Sequence, residues 1–251
     1  PKDPPAAISR APLTFAMVSA IIVAAGSSRR MGFDKLFAPL AGKPVLWYSL
    51  QAFSDCDDID EIFVVTKEDR VQEVEKLIND EDLAKVRRVI VGGAERHLSV
   101  WNGLQAIDAK GSEFVAIHDG ARPLTTPAII HDCLELARQH GSACVATPIP
   151  DTVKRASSEG VVTESVERTG LWAMQTPQIF ASGLILQAYA ALIAKHEMVT
   201  DEVSAVQRLG KRIALLKNQD WNFKITFPND LELAEHVLAL RSRREAFRSS
   251  K

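Results

Sequence analysis

Cysteine is scarce in this sequence, which has only Cys56, Cys133 and Cys144 among 251 residues and no Cys-x-x-Cys pair. An odd number of cysteines at wide spacing argues against a disulfide framework, and the lack of pairs argues against a cysteine zinc site. Because disulfides are rare in reducing compartments, this usage fits a cytoplasmic protein.

The chain also lacks long hydrophobic runs and an excess of charge of either sign. No apolar run approaches the roughly 18 residues that span a membrane, so we predict no membrane segment. The 30 basic and 32 acidic residues provide no overall attraction to nucleic acid. An anionic ligand would therefore have to be held by a local cluster of cations. Hydrophobic residues make up 46% of the chain, which is enough to bury a sizeable core.

The two ends of the sequence differ in composition from the rest. The first 17 residues carry four prolines and no periodic pattern, and we predict that they form a disordered leader without the features of a secretory signal. We predict a single domain over residues 18–241. Residues 242–251 are interpreted as a basic tail at a solvated helix end.

Apolar, β-rich runs alternate with helical patterns through the first 150 residues. The predicted strands are 20–24, 61–66, 88–91, 113–118 and 142–147. The predicted helices are 44–53, 70–79, 98–109 and 126–140. This alternation is typical of βαβ units, and continuous apolar strands are expected when helices cover both faces of a sheet. The sequence therefore predicts an α/β, Rossmann-like, mostly parallel sheet.

The alternation stops after residue 150. Residues 151–155 and 161–168 are short, polar and β-prone, which predicts an inserted β-hairpin arm over about 148–170. Because an isolated hairpin is marginally stable in water, we expect this arm to pack on something else, such as a second subunit. Further elements are then predicted: helices at 182–195 and 202–209, strands at 212–216 and 223–226, and a final helix from about 229.

The loop after the first strand has the composition of an anion site. It contains Gly26 and Gly32 together with Arg29, Arg30 and Lys35. Ligands of open α/β sheets bind beyond the carboxyl ends of strands, and successive backbone N–H groups in such a loop can hold a phosphate. Neither the G-x-G-x-x-G fingerprint nor a terminal GKS or GKT is present, so the two familiar phosphate loops are excluded. The alternative is a surface turn with solvated arginines.

Two other segments predict parts of the same site. Asp119 follows the fourth predicted strand at the same sheet edge, where a carboxylate could hold Mg²⁺ together with substrate phosphates. Arg122, three residues later, could bind a substrate phosphate. A helix cap or an ordinary turn is the alternative. Lys224 becomes relevant only if its predicted strand lies beside the first loop.

Six motifs occur in one order along the chain: AAGxxxRMG…K, GGxxRxxSV, HDxARP, DTxKR, VxRxxLWxxQTPQ and KxTxPxDL. Together they resemble the 2-C-methyl-D-erythritol 4-phosphate cytidylyltransferase family, over about residues 20–237. The resemblance implies a nucleotidyltransferase that takes CTP and 2-C-methyl-D-erythritol 4-phosphate and releases pyrophosphate. It further implies Mg²⁺, the non-mevalonate isoprenoid route and a homodimer that uses the arm.

The resemblance also implies roles for individual residues. The charge-stabilising catalytic residues would be Arg30, Lys35 and Lys224. The nucleotide would be bound by Ala24, Ala25, Gly26, Ser27, Gly93, Ala94, Ser99 and Gly120. The sugar phosphate would be bound by Arg122 and Thr176 and, from the partner's arm, by Thr152 and Arg168. Asp119 would hold the metal. The family often has alanine in place of Gly120 and an acid in place of Ala94.

Three alternatives remain open on the sequence. The first is a ribitol-5-phosphate cytidylyltransferase or another pyrimidine nucleotidyltransferase. The second is a nicotinamide-dependent oxidoreductase, against which the missing dinucleotide fingerprint argues. The third is a non-catalytic nucleotide-binding protein, which would be expected to have lost some of the cations that are present here.

Overall fold

The computed structural model describes residues 17–27, 31–108 and 111–249. Its strands are β1 (Met17–Ala24), β2 (Pro39–Leu40), β3 (Lys43–Pro44), β4 (Glu61–Thr66), β5 (Val86–Val91), β6 (Ser112–Asp119), β7 (Ser142–Pro148), β8 (Val153–Ala156), β9 (Val162–Val166), β10 (Trp172–Ala181) and β11 (Ala214–Lys217). Its α-helices are α1 (Val45–Ser54), α2 (Val71–Asp80), α3 (Arg96–Ala106), α4 (Pro127–His140), α5 (Ser182–Ala194), α6 (Glu202–Gln207) and α7 (Asn229–Ser249). A short 3₁₀ helix covers Glu68–Arg70.

Seven strands form one sheet in the order β11-β7-β10-β6-β1-β4-β5. β1 lies in the middle and pairs in parallel with both β4 and β6. β4 pairs in parallel with β5, and β7 with β11. Only β10 runs antiparallel to its neighbours β6 and β7. The predicted mostly parallel α/β sheet is therefore confirmed.

Helices cover both faces of this sheet. Alternate side chains of β1 point to opposite sides, as the period of two in a strand requires. Ala20 and Ile22 pack with α1, α2 and α4, whereas Ile21 packs with α3, α5 and α6. Each fully buried aliphatic side chain contributes about 1.5–3 kcal/mol relative to an exposed one, which explains why this strand reads as a continuous apolar run.

The sequence prediction missed β10 and wrongly placed a strand at 223–226. The β10 segment contains Gln175, Pro177 and Gln178, a composition typical of loops. The strand accommodates proline because its register with β7 shifts between Met174 and Gln178, where ladder bonds are interrupted. The 223–226 segment is β-prone but forms no ladder, and the Ile225 N–H instead donates to the Ala121 carbonyl at 2.8 Å.

The β2–β3 pair was also missed, because each of its strands has only two residues. Ala41 and Gly42 both have positive φ, at 44° and 87°, as a two-residue hairpin turn requires.

The predicted arm is a hairpin: β8 and β9 pair antiparallel, with Val153 opposite Val166. Its surface is largely solvent-exposed, and Val161 and Val162 near its tip are 60% and 61% exposed.

The ends of the described chain differ somewhat from the expectation. Met17 already belongs to β1, and the remaining 16 residues of the predicted leader lie outside the described residues. α7 continues to Ser249, so most of the predicted tail is helical. None of the described helices combines the length and apolar character that crossing a membrane requires.

Candidate active site

A cavity of about 470 Å³ opens at the carboxyl ends of the central strands. From β1 the chain proceeds outward to β4 and β5, and it then returns to the other side of β1 as β6. Such a reversal of strand order leaves a crevice in which open α/β sheets bind ligands. The cavity is lined by Val23, Ala25, Gly26, Ser27, Met31, Lys35, Leu36, Gly93, Ala94, Glu95, Arg96, Ser99, Asp119, Ala121, Lys224 and Thr226.

The loop after β1 forms one wall of the cavity. Ala25, Gly26 and Ser27 line it as expected, whereas Arg30 lies outside the described residues. Lys35 also lines it, and its Nζ donates to the Ile225 carbonyl at 2.6 Å. This contact joins the first loop to the 223–226 segment. Lys35 and Lys224 therefore line the same cavity, although Lys224 was expected on a strand.

The turn that carries Lys35 is held from outside the cavity. The Asp34 carboxylate accepts a hydrogen bond from the Leu36 N–H at 3.2 Å, and it forms an ion pair with the Arg70 Nε at 3.2 Å. Sequence reasoning gave no role to Arg70, because a single arginine after β4 carries no signal.

The glycine pair after β5 is tightly enclosed. A Cβ on Gly92 would lie 2.6 Å from the Ala25 Cβ, and one on Gly93 would lie 2.4 Å from the Leu98 Cβ. The Ser99 hydroxyl accepts a hydrogen bond from the Gly93 N–H at 3.1 Å. Only residues without a side chain allow so close an approach, which explains why two glycines stand here.

Asp119 lies at the centre of the charged side chains. Its Oδ1 accepts from the Arg96 Nε at 3.2 Å. Its Oδ2 is 3.0 Å from the Lys224 Nζ and 3.4 Å from the Arg122 Nε. Burial by itself would raise the pKa of this carboxyl, but the three cations outweigh burial and lower its pKa below the ordinary value. Asp119 therefore stays ionised at neutral pH.

Arg96 is the arginine of the GGxxRxxSV motif, and the sequence analysis predicted no function for it. Its NH1 and NH2 groups donate to the two oxygens of Glu202 at 2.6 and 3.1 Å. Burial would lower the pKa of Arg96, but Glu202 and Asp119 raise it well above its ordinary value. Glu202 is fully buried and had no sequence signal beyond its place in a predicted helix.

The remaining predicted residues of the main body are not among the residues that line the cavity. Ala24 is buried at the end of β1. Gly120 donates its N–H to the Val23 carbonyl at 2.9 Å, and a Cβ there would lie 2.9 Å from the Leu46 Cδ1. Arg122 is 9% exposed and donates from NH1 to the Asn222 carbonyl at 2.8 Å.

Thr176 is buried and links the backbone of Asp119 to His118. Its Oγ1 accepts from the Asp119 N–H and lies 3.0 Å from the His118 Nδ1. The His118 Nε2 faces the Arg122 carbonyl at 3.4 Å. Because a carbonyl only accepts, this ring nitrogen carries the hydrogen in the neutral imidazole, and Nδ1 accepts from Thr176.

The two predicted residues of the arm lie elsewhere. Thr152 and Arg168 are exposed at the base of the hairpin, and the Arg168 side chain donates to the Pro150 carbonyl. Neither residue lines the cavity of its own chain.

Comparison with known proteins shows the family to which the chain belongs. The family model for IspD, 2-C-methyl-D-erythritol 4-phosphate cytidylyltransferase, matches residues 18–240. The chain belongs to this family.

Its relatives in the family match along nearly their whole length. The 2-C-methyl-D-erythritol 4-phosphate cytidylyltransferase of Symbiobacterium thermophilum is 40% identical over 90% of this chain and 94% of its own. That of Syntrophotalea carbinolica is 42% identical over 88% of this chain and 96% of its own. A similar fold is found in the crystal structure of the 4-diphosphocytidyl-2C-methyl-D-erythritol synthase of Anaerococcus prevotii, with a TM-score of 0.78. The two sequences are 30% identical, and the match covers 90% of this chain and 97% of that chain.

The buried His118 predicts a pH dependence of stability in this member of the family. Burial lowers its pKa from 6.5 to about 3, so the unfolded chain binds a proton that the folded one does not. Its contribution to stability is therefore complete above pH 6.5 and is lost as the pH falls toward 3. We expect the free energy of unfolding to fall by up to about 1.4 kcal/mol per pH unit in this window. Urea unfolding of wild type and His118→Asn between pH 7 and 4.5 measures the difference in slope.

His131→Gln is the control for this measurement. In wild type, the hydrogen bond between His131 and Asp58 raises the pKa of His131. The contribution of His131 to stability therefore has the opposite sign and is lost as the pH rises. Equal slopes for wild type and His118→Asn would contradict the prediction.

Proposed function

We propose that this enzyme transfers the cytidylyl group of CTP to 2-C-methyl-D-erythritol 4-phosphate. The products are 4-diphosphocytidyl-2-C-methyl-D-erythritol and pyrophosphate, on the non-mevalonate route to isoprenoids. The family membership supports this reaction. The observation that carries it is the set of cations Arg96, Arg122 and Lys224 around the carboxylate of Asp119 at the end of β6, with Lys35 on the wall of the same cavity.

The first task of such a site is to bring two anions together. Arg96, Arg122 and Lys224 pair with the buried carboxylates Asp119 and Glu202, and Lys35 adds a further cation to the cavity wall. Four cations against these two carboxylates leave an excess of positive charge for a triphosphate and a phosphate monoester. Glu95 also lines the cavity, but its side chain is exposed. In a partly desolvated cavity, preorganised cations stabilise charge more strongly than they do in water. Lys35, Lys224 and Arg30 are proposed to stabilise the transition state.

The nucleophile is the phosphate oxygen of the sugar substrate, which attacks the α-phosphorus of CTP in line with the departing pyrophosphate. A phosphate monoester has its second pKa near 6, so this oxygen is already ionised at neutral pH and needs no general base. Among the described residues that line the cavity there is no histidine. His118 lies nearby, but it is buried, neutral and hydrogen-bonded at both ring nitrogens. Catalysis is then positioning and electrostatic stabilisation.

Asp119 is proposed as the protein ligand of a divalent cation, Mg²⁺ in the first instance. The fit rests on its donor set: the carboxylate lines the cavity, stays ionised, and its Oδ1 accepts one hydrogen bond and keeps a second lone pair. Mg²⁺ usually reaches proteins with one or two carboxylates and the substrate phosphates. When bound, the ion would neutralise charge on the phosphates.

The nucleotide is proposed to be held by small residues that line the cavity, which are Ala25, Gly26, Ser27, Gly93, Ala94 and Ser99.

The second substrate is proposed to bind with help from the arm of another subunit. Thr152 and Arg168 are exposed on the arm, and Val161 and Val162 leave apolar surface near its tip. Arg122 and Thr176 are proposed to complete this subsite.

We also propose that the enzyme works in the cytoplasm, which the three buried free cysteines support.

Mixing two inactive variants tests whether the arm acts in the neighbouring subunit. Arg168→Ala lacks the arm contact, and Lys35→Ala lacks the cavity cation. In their heterodimer, the intact arm of the Lys35→Ala subunit serves the intact cavity of the other. Random reassociation at equal amounts should therefore restore about a quarter of wild-type turnover, because half the dimers are mixed and each has one working site. Pyrophosphate release before and after reassociation measures this. Activity that stays at the level of the separate variants would contradict an arm that acts in trans.

Pyrophosphate release also tests the reaction itself. CTP, UTP, ATP and GTP should each be assayed with 2-C-methyl-D-erythritol 4-phosphate and with ribitol 5-phosphate, with and without Mg²⁺. We expect turnover with CTP, 2-C-methyl-D-erythritol 4-phosphate and Mg²⁺ together. Faster turnover with ribitol 5-phosphate would overturn the assigned sugar, and faster turnover with another nucleotide would overturn the assigned base.

A further inference from the structure

Glu202 is a fully buried carboxylate to which the reaction above gives no part. It is the first residue of α6, it has no exposed surface, and it does not line the cavity. Burying a carboxylate strongly disfavours folding unless the group is paired and hydrogen-bonded. An apolar residue at this position would fill the same space without that cost, so the charge itself needs an explanation.

The partners of Glu202 point toward the cavity. Its two oxygens accept from NH1 and NH2 of Arg96, at 2.6 and 3.1 Å, and the Tyr189 hydroxyl donates to Oε1 at 3.0 Å. Two parallel N–H bonds from one guanidinium to one carboxylate fix the plane of the arginine as well as its position. Arg96 is therefore held in one orientation from behind the cavity wall.

That orientation determines where Arg96 meets Asp119. The Arg96 Nε points to the Asp119 Oδ1 at 3.2 Å, and the other oxygen of Asp119 is 3.0 Å from the Lys224 Nζ. A continuous series of ion pairs thus runs from Glu202 through Arg96 and Asp119 to Lys224. We infer that Glu202 is a positioning residue, which orients Asp119 and Lys224 toward the reacting phosphates by fixing Arg96. The part that concerns the phosphates rests on the proposed function.

Glu202→Gln tests this inference with little change of volume. Glutamine can still accept one hydrogen bond from Arg96, but it removes the charged, two-point pair, so Arg96 can rotate and Asp119 can shift. Because misplacement by about 1 Å can cost up to about 100-fold in rate, we expect kcat to fall at least about tenfold. The KM for CTP should change less, since the cations that attract the triphosphate are retained.

Tyr189→Phe is the matched control. It removes a hydrogen bond from the same carboxylate oxygen, within the same buried surroundings, and leaves Arg96 paired. Its kcat should stay within about threefold of wild type, as expected for a lost neutral donor away from the reacting groups.

Arg96→Lys is the second test, because it keeps a cation opposite Glu202 but lacks the two-point geometry. It should lower kcat about as much as Glu202→Gln, and Glu202→Gln should cause no further loss in the Arg96→Lys background.

Nitrogen-15 NMR of the arginine side chains tests the positioning without substrates. The Arg96 Nε–H should exchange slowly with water in wild type and in Tyr189→Phe, and at least about tenfold faster in Glu202→Gln, where its orientation is no longer held. If wild type did not convert CTP and 2-C-methyl-D-erythritol 4-phosphate, the proposed function would fail, while this exchange rate would still decide the role of Glu202.

Three results would overturn the inference. They are a kcat of Glu202→Gln equal to that of Tyr189→Phe, additive losses in the double variant, and an unchanged exchange rate of the Arg96 Nε–H. If Glu202→Gln did not fold, the Arg96→Lys kinetics would decide, and an undiminished kcat in that variant would overturn the inference.

Discussion

Lys35→Ala is expected to lower kcat by at least about 100-fold while the fold stays intact. Lys35 lines the same cavity as Lys224, and in the proposed reaction it would stabilise the negative charge that builds up as pyrophosphate departs from the α-phosphorus. Loss of one preorganised donor at such a position costs about 10²–10³ in kcat. The side chain is only half-buried, and it donates a hydrogen bond to the Ile225 carbonyl. Its removal should therefore change the free energy of unfolding by about 1 kcal/mol. Pyrophosphate release and urea unfolding measure the two effects.

Two further variants separate the charge of Lys35 from its packing. Lys35→Met keeps most of the aliphatic stem and should be as inactive as Lys35→Ala. Lys195→Ala removes an exposed lysine after α5 and should leave turnover unchanged. A kcat for Lys35→Met above about a third of the wild-type value would show that the cation is not needed in the transition state, against the roughly 100-fold loss expected.

Asp119→Asn is expected to damage both activity and stability. The amide has almost the same volume, but it leaves Arg96, Arg122 and Lys224 without the carboxylate that they share. Removing one partner of a buried ion pair typically costs about 3–5 kcal/mol, and here the buried Arg122 loses its carboxylate, whereas Arg96 keeps Glu202. Turnover should fall at least about 100-fold, since the proposed ligand of the divalent cation is lost and the cations around it move apart. Kinetics and urea unfolding at pH 7 measure both changes.

The destabilisation by Asp119→Asn should depend on pH in a defined direction. The folded pKa of Asp119 lies below its ordinary value of 3.8, so its contribution is complete above that value and is lost as the pH falls through it. The difference in unfolding free energy between wild type and variant should thus be constant above about pH 5 and shrink below about pH 4.

Asp58→Asn provides the control for the same chemical change. Asp58 pairs with His131 and Arg138 at the surface and is not among the residues that line the cavity. Since exposed ion pairs contribute about 0–1 kcal/mol, this variant should be nearly as stable as wild type and fully active. If Asp119→Asn unfolded at the same urea concentration as Asp58→Asn, the three cations would not depend on Asp119.

Most of the fold was predictable because its information is local. The five strands predicted in the first 150 residues lie within about three residues of their observed ends, since each is a continuous apolar run between helical patterns, whereas the short β2–β3 pair was missed. β10 was missed because Gln175 and Pro177 read as loop, and only the neighbouring strands β6 and β7 make that segment a strand. The 223–226 segment shows the reverse error, because β-prone residues there have no partner strand with which to form a ladder.

The candidate site was predictable only in part. Small residues and Lys35 of the first loop, and the carboxylate at the end of β6, could be placed at the cavity because each lies at or after a strand end where α/β sheets bind ligands. Arg96 and Glu202 could not be paired from the sequence, because 106 positions separate them. The site residues remain predictions until the variants above are measured.

The sequence by itself determined the family, the alternating α/β order and the loop with its two glycines and three cations. These follow from local periodicity, composition and the order of six motifs. The tertiary structure decided how the charges are used: it joins Lys35 to Ile225 across 190 positions and Lys224 to Asp119 across 105. It also shows that Asp119 carries its charge among three cations and that Glu202 is buried behind Arg96. Such pairings arise only when the sheet brings distant strand ends to one edge, because charge interactions depend on distance and burial and not on separation along the chain.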